Sequence, residues 1–542
     1  GTLVGVGQGR RTAIATTAHG SVSGLGFTIE DVLVPRTPEN RSSGLGPVAA
    51  IVITVPPGTR QTIRLAICFY REGIPTVGMD MRYLYTRYFA NIDEVAAYAL
   101  ENFERYVQWA HEADALLMQS SLSADQQFMF AHATRSYYGS TELLEHEGRP
   151  FWVVNEGEYR MMNTFDLFVD QLFFEMRMNP WVVRNVLDSF LSRYSYHDQV
   201  HFPQSAVSYP GGLSFTHDMG VGNVFSRPGY SAYELYGLAG TFSHMTHEQL
   251  VNWVCCAGVY AAQTHDDAWL EQHLDVLGDC LQSLLRRDHP DPAQRNGMMG
   301  LDSSRSAAEI TTYDSLDTSL GQARNNAYMA VKTWAAYILL ARIFAKYGNH
   351  EDATLAEIQA DRCARTIVSH VTGEGLIPAI MGEENESYII SAIEGLIFPY
   401  ACGDLDAVSL AGRYGDLIHA LREHIDRVLQ RGVCLFPDGG WKLSSTSDNS
   451  WLSKIYLCQF VARAMLGIRD ERSEAVADSA HVAWLLDPRN TYWGWSDQMI
   501  AGVATFSKYY PRGVTSVLWL DEAMWADTPV CALPSLSMIA GN

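Results

Sequence analysis

Residues 93–110, DEVAAYALENFERYVQWA, mark the point at which the chain changes from a strand-like to a helical pattern. Apolar side chains recur there at three- and four-residue intervals, namely Val95, Tyr98, Ala99, Phe103, Tyr106, Val107 and Ala110. A period of about 3.6 residues is typical of amphipathic helices. The stretch therefore predicts that the chain is helical from about residue 93 onward.

The residues before this point have the composition of β-strands. Residues 13–17, 48–55 and 62–70 are rich in β-branched and aromatic side chains, and Gly and Pro separate them. Their spacing indicates an antiparallel sandwich that has too few strands to close. We therefore predict that residues 1–92 are the C-terminal portion of an N-terminal β-sandwich domain.

The residues after this point contain a succession of amphipathic segments. A capping-box pattern, Ser123 to Gln126, opens one helix. Further helices are expected at 163–178, 181–194, 246–263, 266–287, 321–346, 351–370, 411–430, 450–466 and 470–485. Because no repeat of about 34 or 40 residues is visible, the paired helices favour an α/α toroid over an open solenoid. The predicted fold class is thus mainly α, with a ligand site in the loops at one end of the toroid.

The composition describes a globular chain with a large core. The 542 residues are 47% hydrophobic and 18% charged, which suits two or three domains. A formal charge of −22 argues against binding to nucleic acid and to anionic membranes, and no apolar run approaches the roughly 18 residues of a membrane span. The nine cysteines include no CxxC pair, which favours unpaired thiols in a cytoplasmic compartment and no metal site.

Two acidic stretches are candidates for catalysis. In residues 152–166, Glu156 and Glu158 flank Gly157, and glycine permits a sharp turn that can aim a carboxylate. The alternative is a helix start enriched in acids. In residues 310–317, Asp314 follows a strand-like run and precedes a helix, where an N-cap is the alternative.

Two further stretches suit a sugar ligand. His217 and Asp218 are adjacent, either as a catalytic or as a structural pair. The tail combines tryptophans with charged side chains, among them Trp441, Lys442, Trp495 and Arg512. An aromatic plate beside charged hydrogen-bonding groups is what a sugar subsite requires.

The acidic candidates Glu156, Glu158 and Asp314 indicate catalysis by a pair of carboxyl groups. Hydrolysis of a glycosidic bond needs one ionised carboxylate at the anomeric carbon and one protonated carboxyl at the leaving oxygen. The residues alone therefore predict a glycosidase of unspecified sugar. A sugar epimerase stays open but wants a second histidine beside His217, and a noncatalytic carbohydrate-binding protein stays open as well.

At these residues the sequence resembles the β-xylosidases of glycoside hydrolase family 52. The likeness runs through residues 154–166, 215–220, 286–292, 312–314, 436–442 and 508–515. It implies an (α/α)6 barrel catalytic domain at 93–542, behind a β-sandwich most of which precedes residue 1. It also implies a retaining, exo-acting bacterial β-xylosidase without a cofactor, acting on xylobiose and short xylo-oligosaccharides. A β-glucosidase-like activity is the nearest alternative, and a homodimer is the assembly considered.

The related family 116 β-glucosidases suggest the catalytic roles. Their pattern Glu-Gly-x-Glu-Tyr-Arg-Met-Tyr-Asn-Thr-Tyr-Asp aligns their nucleophile with Glu156 and their acid/base with Asp314. Because this sequence has one residue fewer between the glycine and the second glutamate, Glu158 stays the alternative nucleophile. Asp317 stays the alternative acid. For a retaining enzyme we expect the two carboxyl groups about 5–5.5 Å apart.

The residues expected to bind substrate surround these two. The relatives' sugar-contacting Asp, His and C-terminal Arg correspond to Asp166, His217 and Arg512. The full set that we expect is Glu158, Arg160, Asp166, His217, Asp218, Thr312, Trp441, Lys442, Trp495 and Arg512.

Overall fold

The computed structural model describes residues 2–6, 11–25, 48–235, 237, 245–305, 308–313, 318–468 and 471–520. The chain divides into two compact units. Unit 1 is Gly1–Ser120, Glu142–Phe151 and Leu533–Asn542, and unit 2 is Ser121–Thr141 and Trp152–Ala532. Long helices prevail and the sheets are small, so the mainly α fold class is confirmed.

Unit 1 contains the strand-like part of the sequence and two helices. Its elements are β1 (Thr2–Val6), β2 (Arg11–Thr16), β3 (Ser21–Leu25), β4 (Val48–Val52), β5 (Ala66–Tyr70), β6 (Arg82–Tyr83), α1 (Ile92–Glu101) and α2 (Phe103–Met118). The hairpin β7 (Thr141–His146) and β8 (Arg149–Val154) follows in the chain. The antiparallel sheets have the orders β1-β2-β5, β3-β4 and β6-β7-β8.

The core of unit 1 lies between one sheet and α1. Alternate side chains of β5, Cys68 and Tyr70, point inward with alanines of β2, and Ile92 and Ala96 of α1 pack against them. Asn91 caps this helix by accepting a hydrogen bond from the Glu94 amide. The predicted change to helix near residue 93 is therefore confirmed. The division into domains 1–92 and 93–542 stays a prediction, while α1 and α2 are grouped with unit 1.

Unit 2 contains the remaining helices. They are α3 (Ala124–Gly139), α4 (Phe165–Met178), α5 (Pro180–Arg193), α6 (Ala232–Leu235), α7 (Thr246–Thr264), α8 (Asp267–Gln272), α9 (Leu274–Asp288), α10 (Thr318–Gly321), α11 (Ala327–Lys346), α12 (His350–Ser369), α13 (Ile397–Ala401), α14 (Gly415–Val428), α15 (Leu452–Phe460) and α16 (Glu471–Leu486). Its strands are β9 (Ser195–His201), β10 (Ser208–Phe215), β11 (Gly220–Val221), β12 (Val224–Phe225), β13 (Asp302–Ser303), β14 (Asn449–Trp451), β15 (Gln498–Ile500) and β16 (Val503–Phe506).

Most of the predicted helices agree with these elements to within a few residues, but the helix predicted over 321–346 begins at Ala327 and the α-helix predicted over 450–466 ends at Phe460. The capping box at Ser123 and Gln126 is confirmed as the start of α3. The single helix predicted over 266–287 is wrong, because α8 and α9 are separated at His273. The His273 ring stacks on Trp269, with ring centroids 4.3 Å apart, while the backbone leaves the helical conformation.

The core of unit 2 is formed by helices that are buried on all sides. α4, α7, α11 and α15 are buried along almost their whole lengths, and α11 packs against α7 and α12. α11 is long and apolar enough to cross a membrane, but 94% of its most apolar window is buried in the protein. It has the character of a core helix.

Candidate active site

A cavity of about 220 Å³ in unit 2 brings together several predicted residues. It is lined by Glu156, Tyr159, Asp166, His217, Tyr233, Thr312, Trp451, Gln498, Phe506, Tyr510 and Arg512. Five of the residues that the sequence singled out therefore meet in one place, although they come from distant parts of the chain. They are Glu156, Asp166, His217, Thr312 and Arg512.

The turn after β8 brings Glu156 to this cavity. Gly157 has φ of 45°, and a side chain on it would collide with the Lys508 carbonyl, so only glycine fits. The Tyr159 amide then bonds back to the Glu156 carbonyl at 3.0 Å, closing a tight turn. The expected function of the glycine between the two acids is thus visible in the backbone.

Both oxygens of the Glu156 carboxylate accept a hydrogen bond from a hydroxyl group. Thr164 Oγ1 donates to Oε2 at 2.6 Å, and the Tyr510 hydroxyl donates to Oε1 at 2.7 Å. Burial raises the pKa of Glu156 above its ordinary value, while His217 and the two hydroxyl donors favour its ionised form. The carboxylate is thereby fixed in orientation as well as buried.

His217 lies between two carboxylates. Its Nδ1 is 2.9 Å from Asp218 Oδ2, and its Nε2 is 3.4 Å from Asp166 Oδ1. Burial lowers the pKa of His217, but Asp166, Asp218 and Glu156 outweigh it and raise the pKa to about 9. The ring therefore carries a positive charge at neutral pH.

Asp166 is the second carboxylate of the cavity, and Thr312 donates to its Oδ2 at 2.6 Å. Burial raises its pKa, but His217, the Thr312 hydroxyl, Arg512 and other cations outweigh burial and lower it. Asp166 is thus an ionised hydrogen-bond acceptor. Asp314 and the alternative Asp317 lie outside the described residues, so the separation of Glu156 and Asp314 stays a prediction.

Trp451 and Arg512 form another wall of the cavity. The Arg512 guanidinium lies 4.8 Å from the Trp451 ring centroid, and its Nη2 donates to Asp497 Oδ2 at 2.6 Å. The other neighbour of Trp451 is Tyr313, whose ring is stacked at 5.0 Å. The indole is almost wholly buried against these neighbours where it lines the cavity.

Three of the predicted residues near Glu156 and His217 do not line the cavity. Asp218 lies behind His217 and also accepts the Gly220 amide at 2.8 Å. Glu158 is half-buried and accepts the Lys508 amide at 3.4 Å. Arg160 is exposed, and its guanidinium lies beside Gly222.

The structure does not bring three predicted residues of the tail to this cavity either. Trp441 is buried, and its amide donates to His481 Nε2 at 3.1 Å. Lys442 pairs with Asp448 at 3.4 Å. Trp495 is fully buried and packs closely against Gly513.

Sequence reasoning missed several aromatic residues of the cavity. They are Tyr159, Tyr233, Trp451, Phe506 and Tyr510, and with them Gln498. Tyr510 lies within the stretch 508–512 that the sequence did single out, so its signal was present. Trp451 lies at the start of a predicted helix, where an aromatic side chain is most simply interpreted as core.

The arrangement suits a small ligand rich in hydroxyl groups. Carboxylates, an imidazolium and a guanidinium supply donors and acceptors, and Trp451 supplies an apolar face. At about 220 Å³ the cavity is smaller than the usual 300–1,000 Å³ of sites for drug-sized ligands. Within the part of the chain that the structure describes, no group of three His, Cys, Asp or Glu residues could hold a metal ion.

Comparison with known proteins identifies the family. A β-xylosidase of Geobacillus stearothermophilus is 60% identical over 522 residues, which are 96% of this chain and 74% of that protein. Another β-xylosidase of this organism is 50% identical over 382 residues, covering 69% of this chain and 61% of that protein. A sugar epimerase from a ruminal bacterium overlays with a TM-score of 0.42 at 10% identity, covering 66% of this chain and 85% of that one. That likeness is too low to carry an argument. The model of glycosyl hydrolase family 52 matches residues 1–260, and together with the 60% identical relative it shows that the chain belongs to this family.

Proposed function

We propose that this protein is a retaining, exo-acting β-xylosidase that releases xylose from xylobiose and short xylo-oligosaccharides. The observation that carries the proposal is the small cavity around the hydrogen-bonded carboxylate of Glu156. A cavity of about 220 Å³ suits a single sugar ring, as removal of a terminal sugar requires. The two relatives named β-xylosidase support xylose as that sugar.

Glu156 is the proposed nucleophile and Asp314 the proposed acid/base. In the first step Glu156 attacks the anomeric carbon while Asp314 protonates the leaving oxygen, giving a covalent xylosyl-enzyme. The negative charge on Glu156 disappears in this ester, so Asp314 then ionises more easily. In the second step Asp314 takes a proton from water, which attacks the same carbon and restores Glu156.

The other charged residues of the cavity are proposed to hold the sugar hydroxyls. Asp166 accepts hydrogen bonds because its pKa is lowered, and protonated His217 donates them. Trp451 and Arg512, which line the cavity together, would add apolar contact and positive charge beside the ring. These contacts would supply the binding energy that a small substrate needs for correct orientation.

For the architecture, we propose that unit 2 contains an (α/α)6 barrel and that the sheets of unit 1 belong to a β-sandwich. The fully buried helices α4, α7, α11 and α15 support an inner ring, and the antiparallel sheets of unit 1 support the sandwich. We also propose a cytoplasmic location. No disulfide joins the cysteines within the described residues, which supports a reducing compartment.

A chromogenic aryl β-xyloside tests the activity. Steady release of the phenol is expected, whereas an epimerase or a binding protein would release none. An aryl β-glucoside is the matched substrate, and comparable turnover of the two would contradict the preference for xylose. Trapping with a 2-fluoro xyloside, followed by mass spectrometry of the labelled peptide, should mark Glu156. A label on Glu158 would move the nucleophile by two residues.

A further inference from the structure

Both oxygens of the Asp218 carboxylate accept hydrogen bonds from the protein. His217 Nδ1 lies 2.9 Å from Oδ2, and the Gly220 and Ala232 amides donate to Oδ1 at 2.8 and 2.7 Å. Asp218 is fully buried and does not line the cavity. The sequence placed it among the residues that bind substrate, but an effect on a sugar has to pass through its neighbours.

A bend of the chain at residue 217 brings two consecutive side chains together. In a strand such as β10, which ends at Phe215, successive side chains point to opposite faces of the sheet. The bend interrupts this alternation, and the Thr216 hydroxyl donates to the Asp218 carbonyl oxygen at 2.8 Å. The contact between His217 and Asp218 is therefore built into the turn that follows β10.

The other nitrogen of the His217 ring lies at the cavity. Its Nε2 is 3.4 Å from Asp166 Oδ1, and both residues line the cavity. The ring cannot exchange its two nitrogens without breaking the 2.9 Å contact with Asp218. Tyr233 packs edge-on against the imidazole, with ring centroids 5.5 Å apart, and it belongs to α6, which begins at Ala232. The Asp218 carboxylate thus joins His217 to the segment that carries this neighbour.

The charge of His217 depends on three carboxylates and a phenol. Burial lowers the pKa of the imidazole, but three carboxylates outweigh burial and raise the pKa, namely those of Asp166, Asp218 and Glu156. Burial raises the pKa of Tyr233, so its phenol stays neutral. Of the three carboxylates, that of Asp218 alone lies outside the cavity. It can hold the proton on His217 while Asp166 and Glu156 face the substrate.

We propose that Asp218 is a positioning residue for His217, which keeps the ring protonated and directs its Nε2–H to the cavity to donate to a sugar hydroxyl. The inference rests on the proposed function, in which His217 and Asp166 bind the sugar. An imidazolium donates from both of its nitrogens. Its positive charge also opposes the effect of burial on Asp166 and favours the ionised form of that carboxylate. Loss of the Asp218 charge should make protonation of His217 about 10- to 100-fold less favourable.

Asp218→Asn tests the proposal, because the amide oxygen can keep both backbone hydrogen bonds while the negative charge is lost. NMR of protein labelled with 13C at histidine Cε1 follows the titration of His217, whose signal is the one missing from His217→Gln. In the wild type His217 should titrate near pH 9. In Asp218→Asn its protonation constant should fall about 10- to 100-fold. A wild-type His217 that is neutral near neutral pH, or an unchanged midpoint in Asp218→Asn, would overturn the proposal.

The pH dependence of kcat/KM for dinitrophenyl β-xyloside gives the functional readout. The leaving group of this substrate needs no proton from Asp314, so the basic limb of the profile should report the loss of the proton from His217. This limb should lie near pH 9 in the wild type and at lower pH in Asp218→Asn. A loss of activity that is equal at every pH would indicate a structural role alone and would contradict the proposal.

Asp478→Asn is the matched control, because Asp478 is another buried carboxylate, paired with Arg463 at 3.1 Å and not bonded to His217. It should leave the His217 titration and the basic limb in place, and a shift of either would speak against a specific effect of Asp218. The NMR titration does not require activity, so it separates this inference from the proposed function. If the His217 midpoint moves but the wild type does not hydrolyse the xyloside, the proposed function fails. If the wild type hydrolyses it and the midpoint does not move, the positioning role fails alone.

Discussion

From the hydrogen bond between Tyr510 and Glu156 we predict how the ionisation of Glu156, the proposed nucleophile, changes when the bond is removed. Both groups are buried and the oxygen atoms are 2.7 Å apart, so water screens the bond little. A hydrogen bond to a charged group contributes about 1.5–3 kcal/mol. Tyr510→Phe removes it and keeps the ring. Ionisation of Glu156 should therefore become about 10- to 100-fold less favourable.

The pH dependence of kcat/KM for dinitrophenyl β-xyloside measures this change. In the proposed mechanism only ionised Glu156 attacks, so the rate should fall as the pH drops through its pKa. Burial already raises the pKa of Glu156, and the loss of a donor raises it further. The acidic limb of the profile should thus move to higher pH in Tyr510→Phe. On that limb the variant should be about 10- to 100-fold slower than the wild type.

Two further variants test whether a shift of the acidic limb in Tyr510→Phe is caused by the lost hydrogen bond to Glu156. Thr164→Val removes the other donor, 2.6 Å from Glu156 Oε2, and should move the acidic limb in the same direction. Tyr159→Phe is the matched control, because the Tyr159 ring lines the same cavity while the donors to the Glu156 carboxylate are Thr164 and Tyr510. Its acidic limb should stay in place. An unchanged acidic limb in Tyr510→Phe would refute the reasoning.

Three other predictions concern the site and the thiols. Azide should restore turnover to both Glu156→Gly and Asp314→Gly, with the α-xylosyl azide as the product of the first variant and the β-azide as the product of the second. The anomers should differ because the two carboxyl groups are proposed to act on opposite faces of the sugar ring. NMR of the product identifies the anomer, and the same anomer from both variants would contradict the proposed roles. The pKa of His217 is raised from 6.5 to about 9, so its proton stabilises the fold fully below pH 6.5 and loses this effect as the pH rises to about 9. The difference in unfolding free energy between wild type and His217→Gln should therefore shrink by up to about 3 kcal/mol from near pH 6 to near pH 10 in urea titrations; a constant difference would argue against the charged ring. Thiol titration of the denatured, unreduced protein should find close to all nine cysteines reactive, and several disulfides would contradict the cytoplasmic location.

The helices of unit 2 could be predicted closely because helical periodicity is a local property. α7 and α12, for example, begin and end within one residue of the predicted limits. The break at His273 could not be predicted, because neither Gly nor Pro marks it. The His273 ring stacks on Trp269 there, a contact that the pattern of apolar residues does not reveal.

The sequence did not predict correctly which tryptophan lines the cavity. Trp441 and Trp495 were expected to contact sugar because they lie near charged side chains in loops. In the structure both are buried in packing contacts, and Trp451 lines the cavity instead. The sequence shows which loops are rich in tryptophan. The direction of each tryptophan side chain, however, depends on contacts distant in sequence, such as that between Trp495 and Gly513.

The sequence shows the buried carboxylates of α4 but does not show which cations neutralise them. Asp166 and Asp170 are four residues apart on α4, so they share one face of this largely buried helix. Two carboxylates buried on one face require cations, and the sequence alone does not say which. The structure supplies Lys454, 3.0 Å from Asp170, and Arg512, whose Nε is 3.6 Å from the same carboxylate. After His217 and the Thr312 hydroxyl, Arg512 and Lys454 also lower the pKa of Asp166, so these cations help to keep the cavity carboxylate ionised. The spacing of Asp166 and Asp170 on α4 therefore predicts that a cation lies nearby. The contact of α4 with α15 determines that Lys454 is this cation.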